Sequence, residues 1–549
     1  MRIFFVMIFG LSACFAQSQT VDQGKKQLYY ERLLSAKESF RQVISQYPQN
    51  GEAWFNLVKT YFLLDQEKQG CDALLKAPAA VSQDPFFRIA EGLSFIHKNG
   101  KDEAIAYFNN IINENKKKND NIIAAVAWVQ INSPDGDANY AIDILNKAIK
   151  KSKHNPELYV LLGDAWRKLI NGTEAFKAYQ KAVNEDKNYA AAFYKMGQIF
   201  LSQKNTGVYT EYFQKAVAAD ASYSPAWYRL YIYEFNRDPA KAMEYYTKYS
   251  QNADHTLQTD YDMADLLYLN KQYDQAIEKA NALIASQQSN TQPRIYKLIA
   301  YSYAGKEDTA AALEAMTRYF ANEQDSNIIA KDYEAMSTYY SSVSSQDSLA
   351  AVYLAKATTL EKDSAILFSD YKKLAEMAKE RKDYGEQARW LEKYCEGNRN
   401  ASNLDFFYWG IANYRIDNYK KADTVFGIYI EKYPDQSFGY YWQAKSKALQ
   451  DTSMAIGLAI PAYEKLIDVL NKDTSDENYK KWIIEAYGYL AAYAVNTKKD
   501  YPQAISYFQK VLEIDPENTM AKQYIDMLDK RMKMSGDAQE GTANKTNSE

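Results

Sequence analysis

The chain has 549 residues, with 66 Lys plus Arg against 70 Asp plus Glu. The resulting net charge of −4 argues against a nucleic-acid groove, which needs a basic excess. The chain also holds 48 Tyr but only 12 Pro and 21 Gly, a composition that favours a long helical protein and argues against a disordered or multi-linker one.

The first residues have the layout of a secretory signal peptide, which we assign to 1–16. A short basic start at Met1-Arg2 is followed by an apolar run and by a small residue, Ala16. Cleavage after Ala16 would give a soluble periplasmic chain. Alternatively, Leu11-Ser12-Ala13-Cys14 is similar to a bacterial lipobox, in which Cys14 would carry lipid and anchor an outer-membrane lipoprotein. Both routes predict export, and no later apolar run is long enough to span a membrane.

A pattern of large and small residues then repeats with a shift of 34 residues, most clearly from Pro156 to Tyr223. Small residues such as Gly163 and Gly197 occupy place 8 of the unit, and large apolar residues surround them. Counted from Pro156, places 4, 7, 8, 11, 20, 24 and 27 hold Tyr159, Leu162, Gly163, Trp166, Ala175, Tyr179 and Ala182. Small residues at these places let two helices approach closely.

This unit resembles the tetratricopeptide repeat, a helix–turn–helix of 34 residues. The resemblance implies an all-α, right-handed superhelical solenoid of about fourteen repeats over 17–534. Such a unit cannot bury its apolar face alone and must stack on a neighbour. An amphipathic stripe from Met520 to Met532 predicts a C-terminal capping helix, and the polar composition of 535–549 predicts a disordered tail.

Individual repeats depart from the pattern. Ala77-Pro78 should end the second helix of repeat two early, because proline breaks a helix. The segment 327–364 is the least regular, since its first helix shows no small residue at place 8. Repeat thirteen carries extra residues before Ala459, whereas repeat twelve, from Phe406, is among the clearest.

Catalytic and metal-binding patterns are missing from the sequence. Its three histidines, His97, His154 and His255, have no ligand-type residue at metal spacing, and no phosphate-loop, hydrolase or zinc motif occurs. Cys71 and Cys395 lie in separate repeats and suit packing rather than nucleophilic chemistry. We therefore predict a non-enzymatic protein without a cofactor or metal.

The resemblance further implies that first helices line a concave groove, with places 2, 5, 9, 12 and 13 facing into it. Aromatic side chains at places 5 and 9 are the candidate binding residues: Phe55, Tyr194, Tyr228, Tyr261, Tyr301, Phe407 and Tyr441. Such rings suit a protein or peptide partner. They could equally pack against the next repeat.

These features predict a protein–protein interaction scaffold of the bacterial envelope. The alternative is a glycan-binding protein of the periplasm or outer-membrane surface, since tyrosine rings also stack on sugars.

Overall fold

The computed structural model describes residues 21–115, 120–287, 291–343, 346–472, 474–475 and 478–543. All regular elements in these ranges are helices, which confirms the all-α prediction. The chain divides into two compact units, unit 1 (Met1–Asp308) and unit 2 (Thr309–Glu549). The predicted signal peptide and Cys14 lie outside the described residues.

Unit 1 is a series of helices joined by short turns. Its helices are α1 (21–29), α2 (Leu33–Gln46), α3 (Gly51–Leu63), α4 (Glu67–Leu74), α5 (Pro85–Asn99), α6 (Lys101–Glu114), α7 (Asp120–Asn132), α8 (Ala138–Ile149), α9 (Pro156–Lys168), α10 (Gly172–Glu185), α11 (Ala190–Ser202), α12 (Thr206–Ala219), α13 (Ser224–Glu234), α14 (Pro239–Asn252), α15 (Leu257–Leu269), α16 (Tyr273–Gln287) and α17 (Arg294–Gly305). Odd-numbered helices are the first helices of the predicted repeats.

Unit 2 is likewise a series of consecutive helices. It contains α18 (Thr309–Asn322), α19 (Ala330–Ser341), α20 (Asp347–Leu360), α21 (Ser364–Glu380), α22 (Tyr384–Gly397), α23 (Asn403–Arg415), α24 (Tyr419–Lys432), α25 (Ser437–Gln450), α26 (Ile460–Leu470), α27 (Tyr479–Tyr493), α28 (Tyr501–Ile514) and α29 (Thr519–Ala543). A π-helical turn, Ala494–Lys498, extends α27.

Within a hairpin, the small place-8 residue of the first helix lies directly under an aromatic ring of the second. A Cβ added to these glycines would lie closer than 3.0 Å to that ring. The pairs are Gly24–Phe40, Gly92–Phe108, Gly163–Tyr179, Gly197–Phe213 and Gly410–Phe426. The close helix approach predicted from the spacing is therefore the packing that holds each hairpin together.

The irregular repeats each have a local cause. Helix α4 ends at Leu74, before Pro78, as the proline predicts. The extra residues of repeat thirteen form a loop in which the carboxylate of Asp451 accepts hydrogen bonds from the backbone N–H groups of Ile456, Gly457 and Leu458.

The segment 327–364, predicted to be the least regular, has buried small residues on both of its helices. Ser337 on α19 is fully buried, and Ala350 and Ala357 on α20 are buried with it. The sequence pattern did not identify Ser337, because serine is polar. In addition, if Ser337 is at place 8, Ala350 and Ala357 fall one residue after places 20 and 27. Helices α19 and α20 thus form a hairpin like the others.

The last helix, α29, runs to Ala543, past the predicted start of the tail at 535; residues 544–549 lie outside the described residues. Leu528 and Ala521 are buried beneath this helix. Met520, Tyr524 and Met527, in contrast, are exposed.

Candidate functional site

Four of the seven candidate ring residues are buried in repeat packing. Phe55 contacts Trp128, and Tyr194 contacts Phe213. The ring of Tyr441 stacks on Trp482 with centroids 4.2 Å apart. Tyr261 is also buried, and its hydroxyl accepts a hydrogen bond from the backbone of Gln292. These rings stabilise neighbouring helices and offer little surface to a partner.

The other three candidates, Tyr228, Tyr301 and Phe407, are half-buried. Tyr228 lies 5.1 Å from Tyr249 between ring centroids, and Phe407 lies 5.8 Å from Phe438. These three keep part of their rings accessible, so they are the predicted residues best placed to contact a partner.

In the first repeats the face of the first helices is filled by side chains of the chain itself. The ammonium group of Lys59 lies 5.2 Å from the ring centroid of Trp128, a cation–π contact. Burial lowers the pKa of Lys59. The pocket beside them, lined by Phe55 and Asn121 among others, measures only about 50 Å³.

A larger pocket, about 560 Å³, opens on the first helix of the last repeat. Its floor is formed by Ile484, Gly488 and Ala492 of α27 and by Val495 of the π-helical turn that extends it. Leu490 is at place 7 of this repeat. Gly488, Ala492 and Val495 therefore occupy places 5, 9 and 12, which are groove-facing places. A Cβ built on Gly488 meets no atom within 4 Å, so the floor is open at this point.

Helices α28 and α29 form the walls of this pocket, which we name the C-terminal pocket. Phe508 of α28 stacks on Tyr524 of α29 with centroids 5.2 Å apart. Met520 and Met527 add flexible apolar side chains, which adapt to varied partner surfaces. The π-helical turn contributes Asn496, and π-helical turns are frequent at functional sites.

Sequence reasoning missed this pocket because it looked for rings at place 5. The signal was the opposite: Gly488 is the smallest residue possible where other repeats carry Tyr or Phe. A missing side chain at a groove-facing place leaves space, and only the neighbouring helix determines whether that space is filled.

Two observations concern the residues that could carry chemistry. No group of His, Cys, Asp and Glu within the described residues could hold a metal ion. Burial raises the pKa of the Cys395 thiol to about 12, so it is not a ready nucleophile. Among the same residues, no helix is both long enough and apolar enough to cross a membrane.

Comparison with known proteins places the repeat in a family. Residues 406–435, which span α23 and α24, match the family model of the tetratricopeptide repeat. A comparison with curated proteins returned no match.

Solved structures give further likenesses. The chain is 27% identical to the C-terminal part of a TPR repeat-containing protein from Cytophaga hutchinsonii, covering 48% of this chain and 99% of that one at a TM-score of 0.29. It is 20% identical to YrrB, a TPR protein with an unusual peptide-binding site, covering 34% and 95% at a TM-score of 0.30. Superpositions at this level carry no argument about a shared site.

Consecutive antiparallel hairpins, five of them closed by a glycine under an aromatic ring, define an α-solenoid of helical repeats. The family match identifies α23 and α24, one of the clearest of these hairpins, as a tetratricopeptide repeat.

Proposed function

We propose that this protein is a non-enzymatic adaptor, exported to the bacterial envelope, that binds a protein partner through the face of its first helices. The observation that carries the proposal is the C-terminal pocket. Its floor consists of groove-facing places, it is mainly apolar, and it has room for several side chains.

The occupant that fits the pocket is an amphipathic helical segment of the partner. From Ile484 to Val495 the floor of α27 extends about 16 Å, the length of three helical turns. Floor and walls are apolar along this length, while Asn518 and Arg531 provide polar groups among the lining residues. This arrangement suits a helix that lays its apolar face into a groove.

Glycan binding, the alternative from the sequence, is less well supported. A sugar site needs aromatic rings beside several polar groups that bond the hydroxyls. In the C-terminal pocket the ring of Tyr524 is already stacked on Phe508, and the neighbouring lining residues are Met, Val, Ala and Leu.

The envelope assignment depends on the N-terminal sequence alone. Met1-Arg2, the apolar run and Ala16 are typical of a signal peptide. Anchoring through Cys14 remains the alternative route to the same compartment.

Two glycine substitutions test the pocket. Gly488→Trp should fill it, because an added side chain meets open space there. The partner is first captured from native envelope with the wild-type protein and identified by mass spectrometry. We then expect Gly488→Trp to weaken binding of that purified partner at least about tenfold, as for a blocked interface centre.

The matched control is Gly207→Trp on α12. Gly207 also has no atom within 4 Å of an added Cβ, and it lies exposed on a second helix of unit 1. Melting curves should show both variants folded. If both variants bind the partner with wild-type affinity, the C-terminal pocket is not the binding site.

A further inference from the structure

The turn between α1 and α2 lies against helices that follow much later in unit 1. We name residues 29–35 the strap. Its contacts reach residues 189–254, so it joins the first repeat to repeats five to seven. Nearest-neighbour stacking, which holds a solenoid together, does not require such a contact.

One end of the strap is held by aromatic packing and hydrogen bonds. The ring of Tyr29 lies 5.5 Å from that of Tyr189 and 5.3 Å from that of Tyr223. The hydroxyl of Tyr30 donates to Asp220 at 2.8 Å. The hydroxyl of Ser224 donates to the carbonyl oxygen of Tyr30 at 2.8 Å.

The other end is held by polar contacts with the turn after α14. Arg32 donates from its guanidinium to the carbonyl oxygen of Asn252. The carboxylate of Asp254 accepts hydrogen bonds from the backbone N–H of Leu34, at 2.7 Å, and from the hydroxyl of Ser35. Hydrogen bonds that involve charged groups are stronger than neutral ones.

The strap covers the very face that a partner of unit 1 would use. Between the strap and the first helices remains a pocket of about 340 Å³, lined by Glu31 and Leu33 on one side and by Tyr194 and Tyr228 on the other. Two of the candidate binding residues therefore face the protein's own strap.

The strap residues are less buried than the core beside them. None of its residues is fully buried, whereas Ala36 and Phe40, just beyond it, are completely buried. Glu31 has a left-handed backbone with φ of 54°, which non-glycine residues rarely adopt. Segments with few buried apolar contacts open at lower free-energy cost than the core around them.

We propose that the strap is an intrachain competitor that holds the first-helix face of unit 1 closed, and that a partner segment with the same chemistry binds there when the strap lifts. That chemistry is a pair of aromatic side chains for Tyr189 and Tyr223, followed by a cation for the Asn252 carbonyl. The inference rests on the proposed binding of a protein partner. It adds that the strap controls access of that partner to the first-helix face of unit 1.

The test uses the strap itself as the probe. A fluorescein-labelled peptide of residues 26–37 is titrated into the full-length protein and into a Tyr30→Ala/Arg32→Ala variant, with fluorescence anisotropy as the readout. We expect the peptide to bind the variant at least about tenfold more tightly than the wild type, because the variant's own strap has lost two anchors. A peptide with alanine at positions 29, 30 and 32 should bind neither protein.

A locked variant keeps the test decisive if the opened one is unstable. Ser35→Cys with Asp254→Cys, in a background with the three native cysteines replaced by Ala, should cross-link the strap in its closed position. Hydrogen exchange at the amide of Ala191, which donates to the hydroxyl of Tyr29, should then slow at least about tenfold on oxidation and recover on reduction.

Three results would overturn the proposal: equal peptide affinity for wild type and a folded opened variant, unchanged exchange on locking, or a strap-exchanged dimer of the opened variant in place of peptide binding. The strap peptide reports on unit 1 without the natural partner. A negative result with Gly488→Trp would therefore leave this measurement unaffected.

Discussion

At the scale of single residues, the hairpins depend on the absence of a side chain at one place. The ring of Phe213 occupies the space that a Cβ on Gly197 would need, 2.6 Å away. The same arrangement recurs at Gly410 and Phe426. Packing this dense leaves no room for added atoms, so these glycines are structural positions and not binding ones.

Gly197→Leu should therefore destabilise the protein whatever its ligand. Leucine forces Phe213 or the helices to shift, and overpacking of this kind costs about 1–3 kcal/mol. A thermal melt measures the loss. Gly207→Leu, on the neighbouring helix where an added Cβ meets no atom, should melt like the wild type or slightly higher. Equal loss from both would contradict close packing at Gly197.

A second residue-scale prediction concerns pH. Burial, opposed by Arg294 and reinforced by Asp262, raises the pKa of Asp265 to about 6. Because this pKa lies above that of the unfolded chain, the folded state holds the proton more tightly. Stability from this group therefore rises as pH falls from about 6 to 4, and the charged carboxylate is destabilising at neutral pH.

Asp265→Asn should accordingly stabilise the protein at pH 7.5, by about 1–2 kcal/mol, and should lose this advantage below pH 4. Melting curves at the two pH values measure the difference. Asp274→Asn, at an exposed position, is the control and should change stability by less than about 0.5 kcal/mol. A stabilisation by Asp265→Asn that is the same at both pH values would refute the assigned cause.

At the scale of elements, the 34-residue period also appears in the backbone. Hairpin turns carry a residue in the left-handed conformation, at Glu31, Asp65, Ile170, Lys204, Lys271, Glu307, Lys382 and Asp417. Gly100 and Gly457 are the glycines with positive φ between paired helices. Left-handed backbone is costly for residues with a Cβ, so the repeats accept strain at these turns to keep the helix pair antiparallel.

Ile170 is the most strained of these positions, since a β-branched residue with φ of 59° is a clear outlier. Its side chain is 93% exposed and packs on nothing. Ile170→Asn should stabilise the α9–α10 hairpin by about 1 kcal/mol, because asparagine tolerates this conformation. Slower hydrogen exchange in α9 and α10 is the expected result.

The control for that substitution is Leu169→Asn, next in the turn but outside the left-handed region with φ of −84°. It should give no gain. Faster exchange in the Ile170→Asn variant would show that the isoleucine contributes a contact that outweighs its backbone strain.

At the scale of the whole molecule, the two units differ in how their first-helix faces are used. In unit 1 that face is covered by the strap and by packed side chains such as Lys59. In unit 2 it ends in the open C-terminal pocket. We therefore expect a partner to bind unit 2 without a prior rearrangement, and unit 1 only after the strap lifts.

Export is the other prediction at this scale. A Cys14→Ala variant should be processed after Ala16 and remain soluble in the periplasm if the signal-peptide route is correct. If Cys14 is lipidated in the wild type, the same change should abolish membrane attachment. Cell fractionation with N-terminal sequencing of both forms separates the routes. Wild-type protein found in the cytoplasm with Met1 retained would contradict both.

The sequence by itself determined the helix pairs and their contacts. The places that matter for a hairpin, such as Gly163 and Tyr179, lie within one repeat, so their spacing is a local property and can be counted. Proline at 78 acts on its own helix and was predictable for the same reason. Only Ser337, polar and followed by small residues one place late, escaped the pattern.

What occupies the face of the first helices was decided by the tertiary structure. Whether a ring at place 5 is buried depends on the adjacent repeat. Trp482, for example, covers Tyr441. The sequence of a single repeat therefore does not predict the burial of its own ring. The strap joins residues separated by more than 150 positions, beyond any local pattern. The C-terminal pocket exists because Gly488 has no side chain and because α29 does not fill the space above it. A glycine at a groove-facing place gives a pocket only when the neighbouring helices leave that space open.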